Sequence, residues 1–468
     1  MIKAFFTNST GILVSRILGF LRDLMMASVL GANIFSDIFF VAFKLPNLFR
    51  RIFAEGAFSQ AFIPSLSFAR YKARFSFEIF FWLLLVVFGL SVFVNLFSYA
   101  VTSVIAYGFD EETRLIAAPL VAINFYYLDF IFAVSFLAGM LHYKNHFATT
   151  AFSTALLNIA LIIALLIAKD MGKLEIVYYL SYGVLAGGAL QLATHLYASK
   201  NRGICKTLIA GARSRKDSSE DTGRFKKAFI PAIFASSASH ISAFLDTFLA
   251  SFLVSGSISY LYYANRILQL PLALFAIAVS VALFPAISKA IHQNDRAKAT
   301  RMLAKSSWML LYLLSFSTVG AVILSEEIIW LLFERGEFLR DDTMNTAWVL
   351  MMYMIGLLPF GLAKIFSLWH FAHHNQKAVA KITAISLVVN IILSLALIVP
   401  MKAGGLALAS SISGFILFGL NYRLYRRTSG EAIFWDKKLI WLLLSIIAFT
   451  IIIGLAKYAL SHYGLVTL

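Results

Sequence analysis

Charge is what this sequence has least of. Asp, Glu, Lys and Arg make up 13% of the 468 residues, against about 25% in soluble domains. Hydrophobic residues reach 60%, above the usual 45–50% or so, and this excludes an ordinary water-soluble fold. Cysteine occurs once, at Cys205, so no disulfide can close within the chain, and no Cys/His group has zinc-site spacing. There is no Walker A loop, no nucleophile elbow and no HExxH, so ATP hydrolysis and membrane proteolysis lack their usual groups. Acidic residues are the scarcer sign, 23 against 40 Lys plus Arg, for a formal charge of +17. In a soluble protein that surplus suggests nucleic acid. In an apolar chain it suggests cytoplasmic loops, where Lys and Arg set membrane orientation.

A spanning helix needs roughly 20 mostly apolar residues, because in hydrocarbon each backbone N–H and C=O must be satisfied within its own segment. Thirteen stretches meet this: 8–31, 34–66, 77–106, 116–141, 148–168, 176–199, 228–254, 259–288, 306–332, 344–371, 379–400, 404–422 and 439–460. The N-terminal stretch meets Arg16, Arg22 and Asp23 and lacks a small-residue cleavage site, so it reads as a first helix and not as a signal peptide. With the N-terminus in the cytoplasm, inside segments hold 26 basic residues and outside segments 7, which fixes the expected orientation and leaves the C-terminal tail 461–468 outside.

The organisation expected is a six-helix lobe over 1–199, a basic cytoplasmic linker over 200–227, a second six-helix lobe over 228–427, and an additional helix with a short outer tail over 428–468. The linker run Arg213-Ser214-Arg215-Lys216 reads as a solvated, positive-inside segment, with anionic lipid or a partner protein as the alternative. The lobes look alike: Asp23, Ala27-Ser28-Val29-Leu30 and Leu45-Pro46 match Asp246, Ala250-Ser251-Phe252-Leu253 and Leu270-Pro271. Such parallel repeats often place a substrate site between lobes near the midplane. Pro46, Pro64, Pro271 and Pro285 fall inside apolar stretches, where each removes a backbone hydrogen bond and favours a kink.

Intramembrane charge costs about 2.5–3.5 kcal/mol per residue on insertion scales and usually faces a watery cavity. Arg16, Arg22, Asp23, Asp37, Lys44, Arg50, Arg51 and Glu55 crowd the first two spans, and Arg266 stands in the eighth. Arginine's planar fork suits phosphate oxygens, so Arg16, Arg22, Arg50 and Arg266, with Lys44, are expected to bind a multiply charged anion such as a pyrophosphate. Arg51 reads as an interfacial side chain. Asp246 is a lone carboxylate in the seventh span, a default proton or cation position, and Asn390, Ser394 and Ser410 are candidate oxygen ligands for Na+ or, alternatively, interhelical glue. Asp129, Lys364, His370, His373 and His374 read as paired or interfacial groups.

The runs Ser15-Arg16-Ile17-Leu18-Gly19-Phe20-Leu21-Arg22-Asp23, Asp37 through Phe43-Lys44-Leu45-Pro46-Asn47, and Arg50-Arg51-Ile52-Phe53-Ala54-Glu55-Gly56-Ala57-Phe58-Ser59-Gln60-Ala61-Phe62 resemble the MurJ (MviN) family of bacterial lipid II flippases. Tyr262-Tyr263-Ala264-Asn265-Arg266 with Leu270-Pro271 fits the same family. The resemblance implies an all-α polytopic fold of the multidrug/oligosaccharidyl-lipid/polysaccharide exporter class, with two six-helix lobes in pseudo-two-fold relation around a cationic cavity. It implies functional arginines at Arg16, Arg22, Arg50 and Arg266, cavity or gate acids at Asp23, Asp37 and Glu55, and an Na+ site of Asp246, Asn390, Ser394, the Leu406 carbonyl and Ser410. The chain departs from the pattern at Ser394, where a carboxylate is expected, and in its helix count of thirteen where the family commonly has fourteen.

The activity implied is flipping of undecaprenyl-pyrophosphate-linked peptidoglycan precursor across the bacterial inner membrane by alternating access. It implies no catalysis and no cofactor beyond Na+ as a candidate coupling ion. The expected partners are lipid II and membrane lipids, with no nucleic acid, and the chain is expected to act as a monomer. The alternatives are a flippase for another undecaprenyl-linked saccharide, a cation-coupled multidrug exporter, whose cationic substrates an arginine-lined cavity repels, and a non-transporting membrane scaffold, which would need no intramembrane charge.

Overall fold

The computed structural model describes the backbone of residues 2–51, 58–434 and 437–462 and the side chains of 10–51, 58, 61–233, 244–434 and 437–459. Glu55 lies outside the described residues. In chain order the helices are α1 (Ile2–Leu30), α2 (Ile34–Phe49), α3 (Phe58–Phe68), α4 (Lys72–Leu96), α5 (Ser98–Ile105), α6 (Glu111–Phe125), α7 (Tyr127–Tyr143), α8 (Ala148–Ala168), α9 (Lys173–Asn201), α10 (Ile204–Arg213), α11 (Ser219–Ala250), α12 (Ser257–Pro271), a π turn (Leu272–Ile277), α13 (Ala278–His292), α14 (Arg296–Ile323), α15 (Ser325–Phe333), α16 (Arg340–Met354), α17 (Leu357–Ala372), α18 (Gln376–Ser429) and α19 (Lys438–His462). No strand occurs among the described residues.

Nine helical stretches among the described residues are long and apolar enough to cross a membrane. Several expected spans are in fact two helices in line. The stretch 77–106 breaks at Phe97, between α4 and α5, and 116–141 breaks at Tyr126, between α6 and α7. Conversely, the expected spans 379–400 and 404–422 run together in α18, divided by the non-helical Lys402 at φ 51°, ψ −132°. Two of the expected proline effects take a definite form. Pro271 is followed directly by the π turn, the wide-helix feature that re-aims side chains within a helix, and α2 ends one turn after Pro46.

By internal contacts the chain divides into two compact units, the first holding residues 1–256 and 335–338, the second 257–334 and 339–468. In the first unit α8 packs between α1 and α9. Helices in lipid gain little from hydrophobicity and rely on close backbone approach through small residues; Gly11 of α1 meets the Ala151 backbone of α8, where a Cβ would stand 2.8 Å from the carbonyl carbon. α1 stops at Leu30 because Gly31 takes φ +73°, and Asn33 restarts the chain as the N-cap of α2, its side chain accepting from the Phe35 and Ser36 N–H groups.

The 200–227 segment, expected as a solvated loop, is instead helical over α10 and docked onto α4. Gly211 allows this: a Cβ there would stand 2.1 Å from the Ala73 carbonyl. Glu78 then gathers Arg74 (2.7 Å), Ser218 (2.5 Å) and Thr222 (3.0 Å), and Asp221 accepts the Arg70 N–H at 3.0 Å. In the second unit α17 packs on α18 and α12 on α16. There α19 meets α14 through a Phe316–Phe449 edge contact and α15 through the Lys457–Glu327 pair at 2.9 Å, and the segment leading into it is tied to α14 by Trp308 Nε1 donating to the Ile433 carbonyl (3.2 Å).

Candidate substrate site

The expected basic residues of the first unit fall into different surroundings. Arg22 is 7% exposed and Asp23 not at all. Arg22 Nη2 donates to Asp23 Oδ1 at 2.5 Å and Nε to the same oxygen at 3.1 Å. Its Nη1 donates to Asn158 Oδ1 of α8 at 3.2 Å, and Asn158 Nδ2 donates to the Ser15 carbonyl of α1 at 3.1 Å. Asn158 therefore bridges the α1 backbone to the guanidinium, and Gly19 leaves the room for its amide at 3.4 Å from a would-be Cβ. A buried charge must be paired and hydrogen-bonded to persist, and this triad supplies both. Sequence reasoning missed Asn158; the signal available was the helix's single amide, followed by an unbroken apolar run to Ala168.

Arg16 lies on the same helix but is exposed. Arg50, half-buried at the end of α2, is steadied by Asn47, whose Oδ1 accepts from Nη2 at 2.9 Å and Nε at 3.2 Å. Lys44 has Asp246 of α11 as its electrostatic partner and Arg51 as a like-charged neighbour. Asp246 in turn answers to Lys44, and its Oδ1 is buried with no hydrogen-bond partner among the described residues. The carboxylate expected in the seventh span is thus within electrostatic influence of a cation from the second, with no ion pair between them. Asp37 is buried and works at a helix end, its Oδ2 accepting the Gly256 N–H at 2.8 Å just before α12.

In the second unit Arg266 is half-buried on α12. Its Nη2 donates to the Tyr262 hydroxyl at 2.9 Å, and the guanidinium carbon lies 5.1 Å from the same ring's centroid. A tyrosine one turn earlier therefore both stacks on the cation and fixes its direction. On α18, Asn390 Nδ2 donates to Ser410 Oγ at 3.2 Å. Ser394 is buried, and its Oγ has no hydrogen-bond partner among the described residues. Leu406 is fully buried just beyond the Lys402 break. His370, expected at an interface, is buried and bonded through Nε2 to the Asn421 carbonyl at 3.0 Å.

Chemically, the first unit offers a paired, immobile guanidinium at Arg22, an exposed one at Arg16 and a steadied one at Arg50, and the second offers an aromatic-backed one at Arg266. Such groups suit an anion with several phosphate oxygens better than a cation.

The chain is similar to known proteins over most of its length. The family profile described as lipid II flippase MurJ matches residues 26–467. The chain is 47% identical over 413 residues to a protein of Helicobacter pylori named probable lipid II flippase MurJ, covering 86% of this chain and 90% of that one. It is 33% identical over 458 residues to a protein of the same name from Haemophilus influenzae, covering 92% and 88%. Among solved structures it matches a lipid II flippase MurJ in an inward closed conformation with TM-score 0.78 and 26% identity, over 98% of this chain and 99% of that one. It also matches an inward-facing multidrug resistance MATE family transporter with TM-score 0.69 and 12% identity, over 91% of this chain and 98% of that one, which establishes a shared fold. A multi-pass, all-helical membrane protein with these matches belongs to the lipid II flippase MurJ family.

Proposed function

We propose that this chain flips lipid II, the undecaprenyl-pyrophosphate-linked peptidoglycan precursor, from the inner to the outer leaflet of the bacterial inner membrane. The observation that carries the reading is 47% identity over 413 residues to proteins named for that activity. The arginine chemistry supports it: Arg16, Arg50 and Arg266 bind the pyrophosphate oxygens, and Arg22, tied to Asp23 and Asn158, holds the cationic field in place. Lys44 adds to the positive charge that binds those oxygens, and Asp37, which accepts the Gly256 N–H, and Glu55 are assigned as gate acids on the family resemblance. Transport is by alternating access, and the prenyl chain stays in lipid while the head group crosses.

The N-terminus and the basic α10 region lie in the cytoplasm and the tail 461–468 outside, on the positive-inside argument. The protein works as a monomer in contact with membrane lipids. It transports and does not catalyse a covalent change. Outward movement of an anion is favoured by an inside-negative potential at about 2.3 kcal/mol per charge per 100 mV, so voltage drives the cycle. Na+ is the second candidate drive. The α18 oxygens of Asn390, Ser394, Leu406 and Ser410 suit a hard cation, and the carboxylate such a set needs is assigned to Asp246 on the family resemblance, since Ser394 stands where a carboxylate is expected.

The test is lipid II translocation in vesicles with an imposed potential. Arg16→Ala and Arg266→Ala are expected to lose most transport, and full transport in both would overturn the site assignment. Replacing Na+ by choline is expected to leave the rate unchanged under this reading; a collapse of the rate would move the drive to Na+. A flippase for another undecaprenyl-linked saccharide would instead leave lipid II on the inner face.

A further inference from the structure

The turn from α1 to α2 carries a second structural device. Four residues, Arg335–Phe338, are held in the first unit, whereas Glu334 and Leu339 on either side of them belong to the second. The backbone attachment is reciprocal. Glu337 N–H donates to the Ser28 carbonyl at 2.8 Å, one of the last α1 carbonyls, which have no partner within their own helix. Gly336 has φ +62°, and a Cβ on it would lie 2.2 Å from the Ser28 carbonyl oxygen; Gly31 has φ +73°, and a Cβ on it would lie 2.4 Å from the Glu337 carbonyl oxygen. Each glycine is required twice, by its backbone conformation and by the other strand's carbonyl. Outside this backbone clasp Glu337 pairs with Lys173, the first residue of α9, at 3.0 Å, with side chains 53% and 41% exposed. Phe338 is buried beside it, at 1% exposure.

We infer that residues 335–338 are a releasable latch on the outer end of α1, closed here, which must leave Ser28 and Gly31 for substrate to exit outward. This rests on the flippase reading and on the orientation given above. The Glu337 N–H bond to the Ser28 carbonyl and the solvated Lys173–Glu337 pair are the kind a cycling protein can break. The glycines provide specificity, since no side chain at either position lets the clasp close.

The latch is tested without substrate, so its failure and the failure of the flippase reading can be told apart. Ser28→Cys is introduced in a Cys205→Ser background, and labelling by a membrane-impermeant maleimide is timed from the outer face. Glu337→Lys is expected to speed labelling about two- to fivefold, the range an exposed ion pair supports. The swap Lys173→Glu with Glu337→Lys is expected to restore the parent rate, and Gly336→Ala to exceed Glu337→Lys. A mere structural role would slow or abolish insertion without rescue by the swap. Unchanged labelling in Glu337→Lys, or no restoration by the swap, overturns the latch even where Gly336→Ala fails to fold. Transport measured on the same variants then reports separately on lipid II.

Discussion

Replacing Asn158 tests whether the arginine field depends on how its least exposed member is held. Asn158→Ala removes the acceptor at 3.2 Å from Arg22 Nη1 and the donor at 3.1 Å to the Ser15 carbonyl. A hydrogen bond to a charged group contributes about 1.5–3 kcal/mol, and the bonds from Arg22 to Asp23 Oδ1 remain. The helix is expected to fold, with a melting temperature lowered by a few degrees. Transport at limiting lipid II is expected to fall about tenfold, the equivalent of roughly 1.4 kcal/mol. Asn158→Asp separates orientation from charge: it keeps the acceptor and adds a carboxylate beside a guanidinium that already has one, so transport is expected to fall further although the geometry survives. The assays are thermal unfolding in detergent and vesicle translocation at several lipid II concentrations. Normal transport in both variants would refute the claim that Arg22 works through its α8 partner; normal transport in Asn158→Asp alone would show that position matters and charge does not.

Tyr262→Phe removes the hydroxyl that accepts from Arg266 at 2.9 Å but keeps the ring under the cation, so a partial loss of transport is expected, smaller than for Tyr262→Ala; equal losses would assign the effect to the ring alone. Gly211→Ala forces a Cβ to 2.1 Å from the Ala73 carbonyl, and lifting α10 from α4 is expected to cost about 1–3 kcal/mol, read as increased proteolysis between residues 204 and 222; unchanged proteolysis would deny the docking. His146, outside the spans, is held below its ordinary value of 6.5 by burial and then by the Arg202 guanidinium. Its folded form resists the proton more than the unfolded form does, so its contribution is complete above the unfolded value and lost as pH falls through that value toward the folded one. His146→Gln is expected to flatten the acid side of the stability profile, measured by melting at pH 5 to 8, and an unaltered profile would assign the loss elsewhere.

Hydropathy gave the apolar lengths well and their internal direction poorly. The span 148–168 coincides with α8. The break at Tyr126 went unseen because Phe125 and Tyr127 on either side are aromatic, with no Gly or Pro to mark it; at Phe97 and Leu324 the signal was present but overridden by hydropathy, in Ser98 and in Ser325-Glu326-Glu327, which begin the next helix. The docking of α10 depended on one glycine meeting a backbone carbonyl 138 positions earlier, a long-range fit that no local pattern reports. At the site, the arginines stood out because charge in hydrocarbon is costly. Asn158 and Tyr262 did not, since an amide or a tyrosine in a membrane helix reads equally well as interhelical packing. The electrostatic influence of Lys44 on Asp246, 202 positions later, was hidden too; sequence showed Asp246 as a lone carboxylate, and the fold brings it within range of a cation of the first two spans.

The most direct test of the central claim is the exposure of lipid II at the outer leaflet of cells after this protein is depleted, scored with an impermeant probe of the head group. The account predicts that lipid II accumulates on the inner face, inaccessible to the probe, and that wild-type chain restores exposure where Arg16→Ala with Arg266→Ala does not. Undiminished outer exposure after depletion would contradict it.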